Sequence, residues 1–409
     1  MTKKEYDVII VGAGISGLRL AEKFNKSKLK VLLIEKKVQI KKLKIGYYGT
    51  FHEYVDKLGI RKYAINKSGF GIYSTEYKFY EELKGHKACV IDLAPWAASR
   101  KLNCEIRTGA DIISLKRENQ GITLEDNHKN KYYAKIVVDC SGYAQVISTL
   151  LGIKKSSCDF LDHVFLLEKP GLKVNQFLYF QDSDLTNIGG WFHPLGKGRY
   201  LIGCSELTSK HSLTKKELRK RLVRYIDNFD PLSKYLKGAK IIEEFSDTGP
   251  TTVIHSSIIG DNYIGVGDAA GAGTPFIGDC VRVAMVMADN AYESILQAFK
   301  KNDFSRKAFK NYEDKFNEEF GKWYKWSYLF RFIFRRYLSN REFNLMCKRL
   351  ENFSHDDFYD VLLSRISPRL IWKLFNFKIA FFTFLNIINY HILSPIGITK
   401  SKYRPLILK

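Results

Sequence analysis

The chain has 409 residues, 45% hydrophobic and 27% charged, the balance of a folded globular protein with room for two or three domains. Seven cysteines with no close CxxC pair argue against a disulfide framework and for a reducing compartment, and nine histidines with no HExxH or His/Cys cluster argue against a metal site. The net charge is +23, and residues 301–409 combine 21 Lys+Arg and 10 Asp+Glu with many Phe, Trp, Leu and Ile, which favours an anionic membrane surface over a nucleic acid.

The N-terminus passes directly into a buried-strand run, Val8 to Val11, so no signal peptide is expected. A glycine turn follows, then an amphipathic helix from about Ile15 to Lys26 and a second buried strand, Val31 to Ile34. That is a βαβ unit of the kind that builds a parallel sheet. Residues from Lys37 to about Ala88 read as loops with short helices. A three-strand meander then returns to the sheet at Ile136 to Asp139. From Asp159 to Ser257 the alternation is strand-like and predicts a mostly antiparallel sheet, interrupted by the helix "TKKELRKRLVRYIDNF". After Arg282 the pattern is helical.

Two glycine-rich stretches carry the chemistry. "GAGISG" sets Gly12, Gly14 and Gly17 in the G-x-G-x-x-G spacing, with Ala13 and Ser16 between them. The first glycine permits the tight turn, the second admits a pyrophosphate, and the third lets helix and strand approach. The helix N-terminus offers N–H groups and partial positive charge to that anion. Glu35, followed by Lys36, ends the second strand where an acid accepts from a ribose hydroxyl. This predicts a dinucleotide site. The second stretch, "GDAAGAGTPFIGDCVRVAM", lies some 250 residues later. An NAD site has no need of it, whereas FAD extends far enough to use Asp268 on a ribityl hydroxyl. A helix starting near Gly278 would face the flavin's pyrimidine edge. No second G-x-G-x-x-G appears, so no separate NAD(P)H domain is expected.

"GAGISG", Glu35, "VVDCSG" (Val137 to Gly142) and "GDAAGAGTPFIGD" together resemble the FAD-dependent geranylgeranyl reductase family. That family is one branch of the glutathione-reductase-type flavoproteins, which include aromatic hydroxylases and lycopene cyclases. The resemblance covers roughly residues 5 to 300. It implies an α/β fold with α+β elements: a Rossmann-like FAD-binding domain (1–158 with 258–300), an antiparallel β-sheet substrate domain (159–257) and a helical C-terminal region (301–409). It places main-chain FAD contacts at Gly46, Tyr47, Gly49, Ile112, Cys280 and Val281. In "GGWFHP" it places Trp191, Phe192 and Pro194 on the substrate cavity. Three departures stand out. Gly46 replaces a cysteine that many of these reductases carry near the flavin, and Cys280 replaces a glycine. Leu93 replaces an arginine, for which Arg100 is the nearest substitute. His52 and His193 lie near these regions and read as structural.

The resemblance implies an enzyme that reduces carbon–carbon double bonds of a polyprenyl lipid by hydride transfer from reduced flavin. An external donor, NAD(P)H or a reduced electron carrier, would supply the electrons. Alternatives are a flavin monooxygenase acting on an apolar substrate, a lycopene-cyclase-like enzyme and a non-catalytic flavin-carrying membrane protein. No catalytic residue is named. Two C-terminal features suggest a cytoplasmic protein peripherally bound to a membrane. Phe316, Phe320, Trp323, Phe330 and Phe334 form a helical stripe suited to an interface or to packing. Ile379 to Thr399 is uncharged, but two Asn, a His and a Pro favour a membrane-touching or buried segment over a span.

Overall fold

The structure is a computed structural model that describes residues 4–40, 46–76, 78–81, 88–153, 159–172, 176–183, 186, 189–207, 214–230, 232–250 and 257–393. In strand Lys4–Val11 the run Val8–Val11 is buried on both faces, so it fits only inside a parallel sheet covered on both sides. It pairs in parallel with Val31–Glu35 on one edge and Lys131–Asp139 on the other. Glu105–Thr108 and Tyr263–Gly265 extend the sheet in the same sense. The hairpin Ile112–Glu118 and Gly121–Asp126 leads into Lys131–Asp139 as the expected meander. Helix Ile15–Phe24 packs beside helix Val281–Lys301, which brings the two glycine-rich stretches together.

A second sheet of seven strands runs Lys240–Pro250, Asp159–Glu168, Arg199–Leu207, Gly189–Gly196, Phe177–Phe180, Phe70–Tyr73 and Lys78–Glu81. The first five are antiparallel, as the alternation predicts. The last two come from the region read as loops. Phe70–Tyr73 joins in parallel to Phe177–Phe180, and Tyr47–Phe51 and Ala64–Ser68 flank Ala88–Asp92 in a small third sheet. Phe70–Tyr73 and Lys78–Glu81 form a local hairpin, but Phe70–Tyr73 is fixed by Phe177–Phe180 and the small sheet by Ala88–Asp92, so tertiary pairing outweighs the weak local pattern.

Period-two alternation gives the seven-stranded sheet two different faces. Leu178, Phe180, Phe192 and Ile202 lie under helix Lys215–Asn228, whose start is fixed by a Thr214–Glu217 capping box. Phe177, Leu195, Leu201, Val164 and Leu166 face the C-terminal helices and pack with Phe330, Phe343, Phe358 and Leu370. Four of the five rings in the aromatic stripe are therefore core, and Trp323 alone stays half-exposed. Phe316 and Phe320 enter the core of the parallel-sheet layer, and Phe330 and Phe334 the core below the seven-stranded sheet. The same spacing suits both roles, and a large sheet face was available to cover.

Candidate flavin site

The glycine loop is shaped by close backbone approach. Gly12 has φ +102°, and a Cβ there would lie 2.4 Å from the Cys140 carbonyl oxygen. A Cβ on Gly17 would lie 1.9 Å from the Gly12 carbonyl oxygen. Gly14 differs: nothing lies within 4 Å of its Cβ position. It is the N-cap of helix Ile15–Phe24, which has no side-chain cap and no acid in its first turn. Ser16 is buried beside the Cys140 thiol. Glu35 sits over this loop, one carboxylate oxygen accepting from Ala13 N at 2.7 Å and the other from Lys37 N at 2.9 Å. Lys36 is exposed beside it, and Ile112 begins the neighbouring strand with its side chain in the core.

Asp139 ends the strand behind the loop. Its buried carboxylate accepts from Ser141 N and Ser148 N, anchoring the turn that presents Cys140 to Gly12, and desolvation holds its pKa above the ordinary carboxylate range. Gln145, at φ +48°, donates to the Asp268 carbonyl at 3.3 Å.

The late stretch forms a 3-10 turn, Gly267–Ala270, and then helix Val281–Lys301, which has no side-chain cap-residue bond at Cys280. Gly278, at φ +79°, opens on unfilled space. Burial, then the Asp268 and Asp279 carboxylates, push the Cys280 thiol well up, so it remains a thiol and not a nucleophilic thiolate. Asp279 accepts from Arg282 N at 3.2 Å and pairs with Arg282 Nε at 2.6 Å; the guanidinium lies 4.5 Å over the Tyr54 ring. Tyr324, from the C-terminal helices, donates to the Ala272 carbonyl at 2.5 Å.

These residues fit an FAD. Two helix N-termini, each preceded by a glycine that opens on empty space, face the same region because their helices pack together. The glycine-loop helix supplies N–H groups for a pyrophosphate. Glu35 retains lone pairs for ribose hydroxyls, since a carboxylate accepts about four bonds.

Residues 6–175 match the pyridine nucleotide-disulphide oxidoreductase family. The digeranylgeranylglycerophospholipid reductase 2 of Methanosphaera stadtmanae is 26% identical over 398 residues, which is 90% of this chain and 98% of that protein. The chain is an FAD-dependent oxidoreductase similar in sequence to the geranylgeranyl reductases. Its fold is shared by a geranylgeranyl bacteriochlorophyll reductase-like protein from Thermoplasma acidophilum (TM-score 0.74, 20% identity, 91% of this chain and 96% of that one). It is also shared by p-nitrophenol 4-monooxygenase from Pseudomonas putida (TM-score 0.71, 15% identity, 91% and 99%).

In this flavoprotein the other expected contacts separate into groups. Gly46 is pressed against the helix Leu93–Ala98, a Cβ there meeting Ala94 N at 2.5 Å, and Tyr47 follows it half-buried. Gly49 touches the far sheet, its Cβ position 2.9 Å from His193 Cε1. Arg100 is occupied elsewhere: it pairs with Glu22 at 2.5 Å, donates to the Trp96 carbonyl at 3.0 Å and stacks on the Trp96 ring. Its place is the joint between helix Leu93–Ala98 and the glycine-loop helix. Within "GGWFHP" the expectation needs correction. Trp191 faces the C-terminal helices, but Phe192 is on the opposite face, stacked on Tyr200 under helix Lys215–Asn228. Adjacent strand residues cannot line one cavity. Pro194 shares the parity of Phe192, while His193 joins the face of Trp191, 4.7 Å from the Phe177 ring.

His193, expected to be a structural or surface histidine, is a neutral polar group on this face. The residue is half-buried, its Nδ1 is shielded and has no partner among the described residues, and burial pushes its pKa down to about 3. The imidazole is thus neutral at physiological pH and cannot act as a charged acid. An unfolded histidine titrates near 6.5. Between those values the unfolded chain binds a proton the folded one does not, so stability falls as pH drops from about 6.5 toward 3. The loss is on the order of 1 kcal/mol by pH 5.5. Urea unfolding of wild type and His193→Leu across pH 7.5 to 5 checks this: the variant's stability is expected to fall less steeply, and parallel curves would contradict it.

Proposed function

We propose that this flavoprotein reduces carbon–carbon double bonds in the polyprenyl chain of a lipid of the geranylgeranyl type. The observation that carries the reading is the similarity to digeranylgeranylglycerophospholipid reductase across nearly the full length of both chains. The sheet face beside the flavin residues supports it. Tyr47, Trp191, Tyr179 and Phe276 are only partly buried and pack on an apolar core, the kind of wall that receives a hydrocarbon chain.

Bound reduced FAD would supply the hydride, drawing electrons from an external donor such as NAD(P)H or a reduced carrier. The protein's share is position and exclusion of water. Gly12, Gly14, Gly17 and Glu35 would hold the dinucleotide, with Ala13 and Ser16 in the same loop. Asp268, Gly278, Cys280 and Val281 would hold the other end, the Cys280 thiol staying uncharged. Trp191, with His193 neutral beside it, would shape the apolar side so that an alkene is held without a competing charge.

The test is anaerobic. Protein reduced with dithionite is mixed with a geranylgeranyl phospholipid dispersed in detergent, and return of the oxidised flavin spectrum is followed with mass analysis of the lipid. Reoxidation with a gain of two hydrogens per bond is expected. An inert alkene, with NAD(P)H-dependent oxygen consumption on an aromatic substrate, would overturn the proposal in favour of a hydroxylase.

A further inference from the structure

Helix Phe377–Ile388 has its polarity inverted. The side facing the protein carries Ile379, which is fully buried, but also Thr383 and Asn386. Asn386 Nδ2 donates to the Tyr337 carbonyl at 2.7 Å and to Glu342 Oε2 at 3.2 Å, and Thr383 Oγ1 donates to the Ile379 carbonyl. The side facing away carries Phe377, Phe381, Phe384 and Leu385, a single stripe at helical spacing. Phe377 is 86% exposed and Phe384 58%. Trp372, 82% exposed, joins them from helix Pro368–Leu374, which meets the first helix at 94°. An amphipathic helix in water buries its apolar stripe; this one presents it to the medium.

We propose that these two helices are a docking surface for an anionic lipid bilayer, seated in its interface. Charge complementarity selects this occupant. No Asp or Glu follows Asp360 in the sequence, whereas the described part of this segment carries Arg365, Arg369, Lys373 and Lys378. Asp357 engages Arg369 and Lys373, and Asp360 lies beside Arg365; Lys378 is exposed within the stripe itself. Trp and Phe flanked by lysine are the composition of helices that lie in headgroup regions, where rings enter the acyl boundary and cations meet anionic lipid. No single described helix is long and apolar enough to cross a membrane; the pair reaches that length only together and bent by 94°, and the hydrogen bonds of Asn386 and the ion pairs of Arg369 and Lys373 tie it to the protein along its length, which favours two helices lying on a surface. The buried sides of the same helices, through Leu370, Leu374 and Ile379, belong to the core beneath the sheet face of Trp191 and His193.

Full-length flavin-loaded protein is floated with phosphatidylcholine vesicles and with vesicles that also contain phosphatidylglycerol. Strong co-flotation with the anionic vesicles, weakened by salt, is expected, and the triple variant F377S/F381S/F384S should lose it by about tenfold or more. Lys378→Glu should weaken it less. Flavin content and reoxidation by detergent-dispersed prenyl lipid should be unchanged in the triple variant, so failure here is distinguishable from failure of the proposed reaction. Absence of flotation overturns the proposal, as does undiminished flotation of the triple variant. A wild-type dimer that the triple variant converts to monomer, with vesicle binding absent, would assign the face to self-association instead.

Discussion

Gly12→Ala is expected to unfold much of the protein's stability margin, whereas Gly14→Ala is expected to leave stability intact and lose flavin. At Gly12 two penalties coincide. The φ of +102° is strained for any residue with a Cβ, and that Cβ would sit 2.4 Å from the Cys140 carbonyl oxygen and 2.8 Å from Ser141 Cα. Strained backbone costs about 1–3 kcal/mol and an overpacked site about as much again. Neither neighbour can step aside, because Cys140 N is bonded to the Val11 carbonyl at 2.8 Å and the Asp139 carboxylate anchors the turn. A loss of about 3–5 kcal/mol is therefore expected in urea unfolding. At Gly14 φ is −75° and nothing lies within 4 Å of the added methyl. Alanine there should change stability by less than about 1 kcal/mol. The methyl would instead occupy the space facing the uncapped helix N-terminus. The ratio of flavin to protein absorbance after purification should drop sharply, and a Gly14→Ala protein that keeps its full flavin would show that the dinucleotide lies elsewhere.

Asp279→Ala is expected to be nearly as damaging. The Arg282 side chain is 2% exposed and Asp279 10%, with Nε and Oδ2 2.6 Å apart. Removing the carboxylate strands a buried guanidinium and also removes an acceptor for Arg282 N at the start of helix Val281–Lys301. Breaking such a pair from one side costs about 3–5 kcal/mol. Replacing both partners, as in D279L/R282M, should recover most of that loss, because the desolvation penalty goes with the charges. Urea unfolding of wild type, D279A, D279L, R282M and D279L/R282M checks it, the last three closing a double-mutant cycle with wild type. A double variant no more stable than Asp279→Ala would mean that the ring contacts of Arg282 with Tyr54 and Phe320 matter more than the charge pair.

The parallel sheet and the flavin loop were legible because they are local. The run Val8–Val11, the glycine spacing and Glu35 fall within one βαβ unit, so hydrophobic continuity and steric need can be read directly along the chain. The i, i+3 spacing of Asp279 and Arg282 was equally visible, but nothing in the sequence marks the pair as buried. The strands between Tyr47 and Glu81 were not legible, since each is short and the hairpin Phe70–Tyr73/Lys78–Glu81 is held in its sheet through a distant partner, Phe177–Phe180. Nor could the order of "GGWFHP" reveal which of its alternating side chains would meet the flavin side.

By itself, then, the sequence determined the parallel-sheet core, the cofactor class and the two glycine stretches proposed to hold it, because backbone conformation and close approach are properties of individual residues and their near neighbours. Tertiary structure alone decided which apolar surfaces are hidden. The stripe of Phe316 to Phe334 and the stripe of Phe377 to Leu385 are equally aromatic and helical, yet one is buried and the other open. The difference is whether a complementary face was there to cover it, and for Phe316, Phe320, Phe330 and Phe334 the two large sheets supplied one.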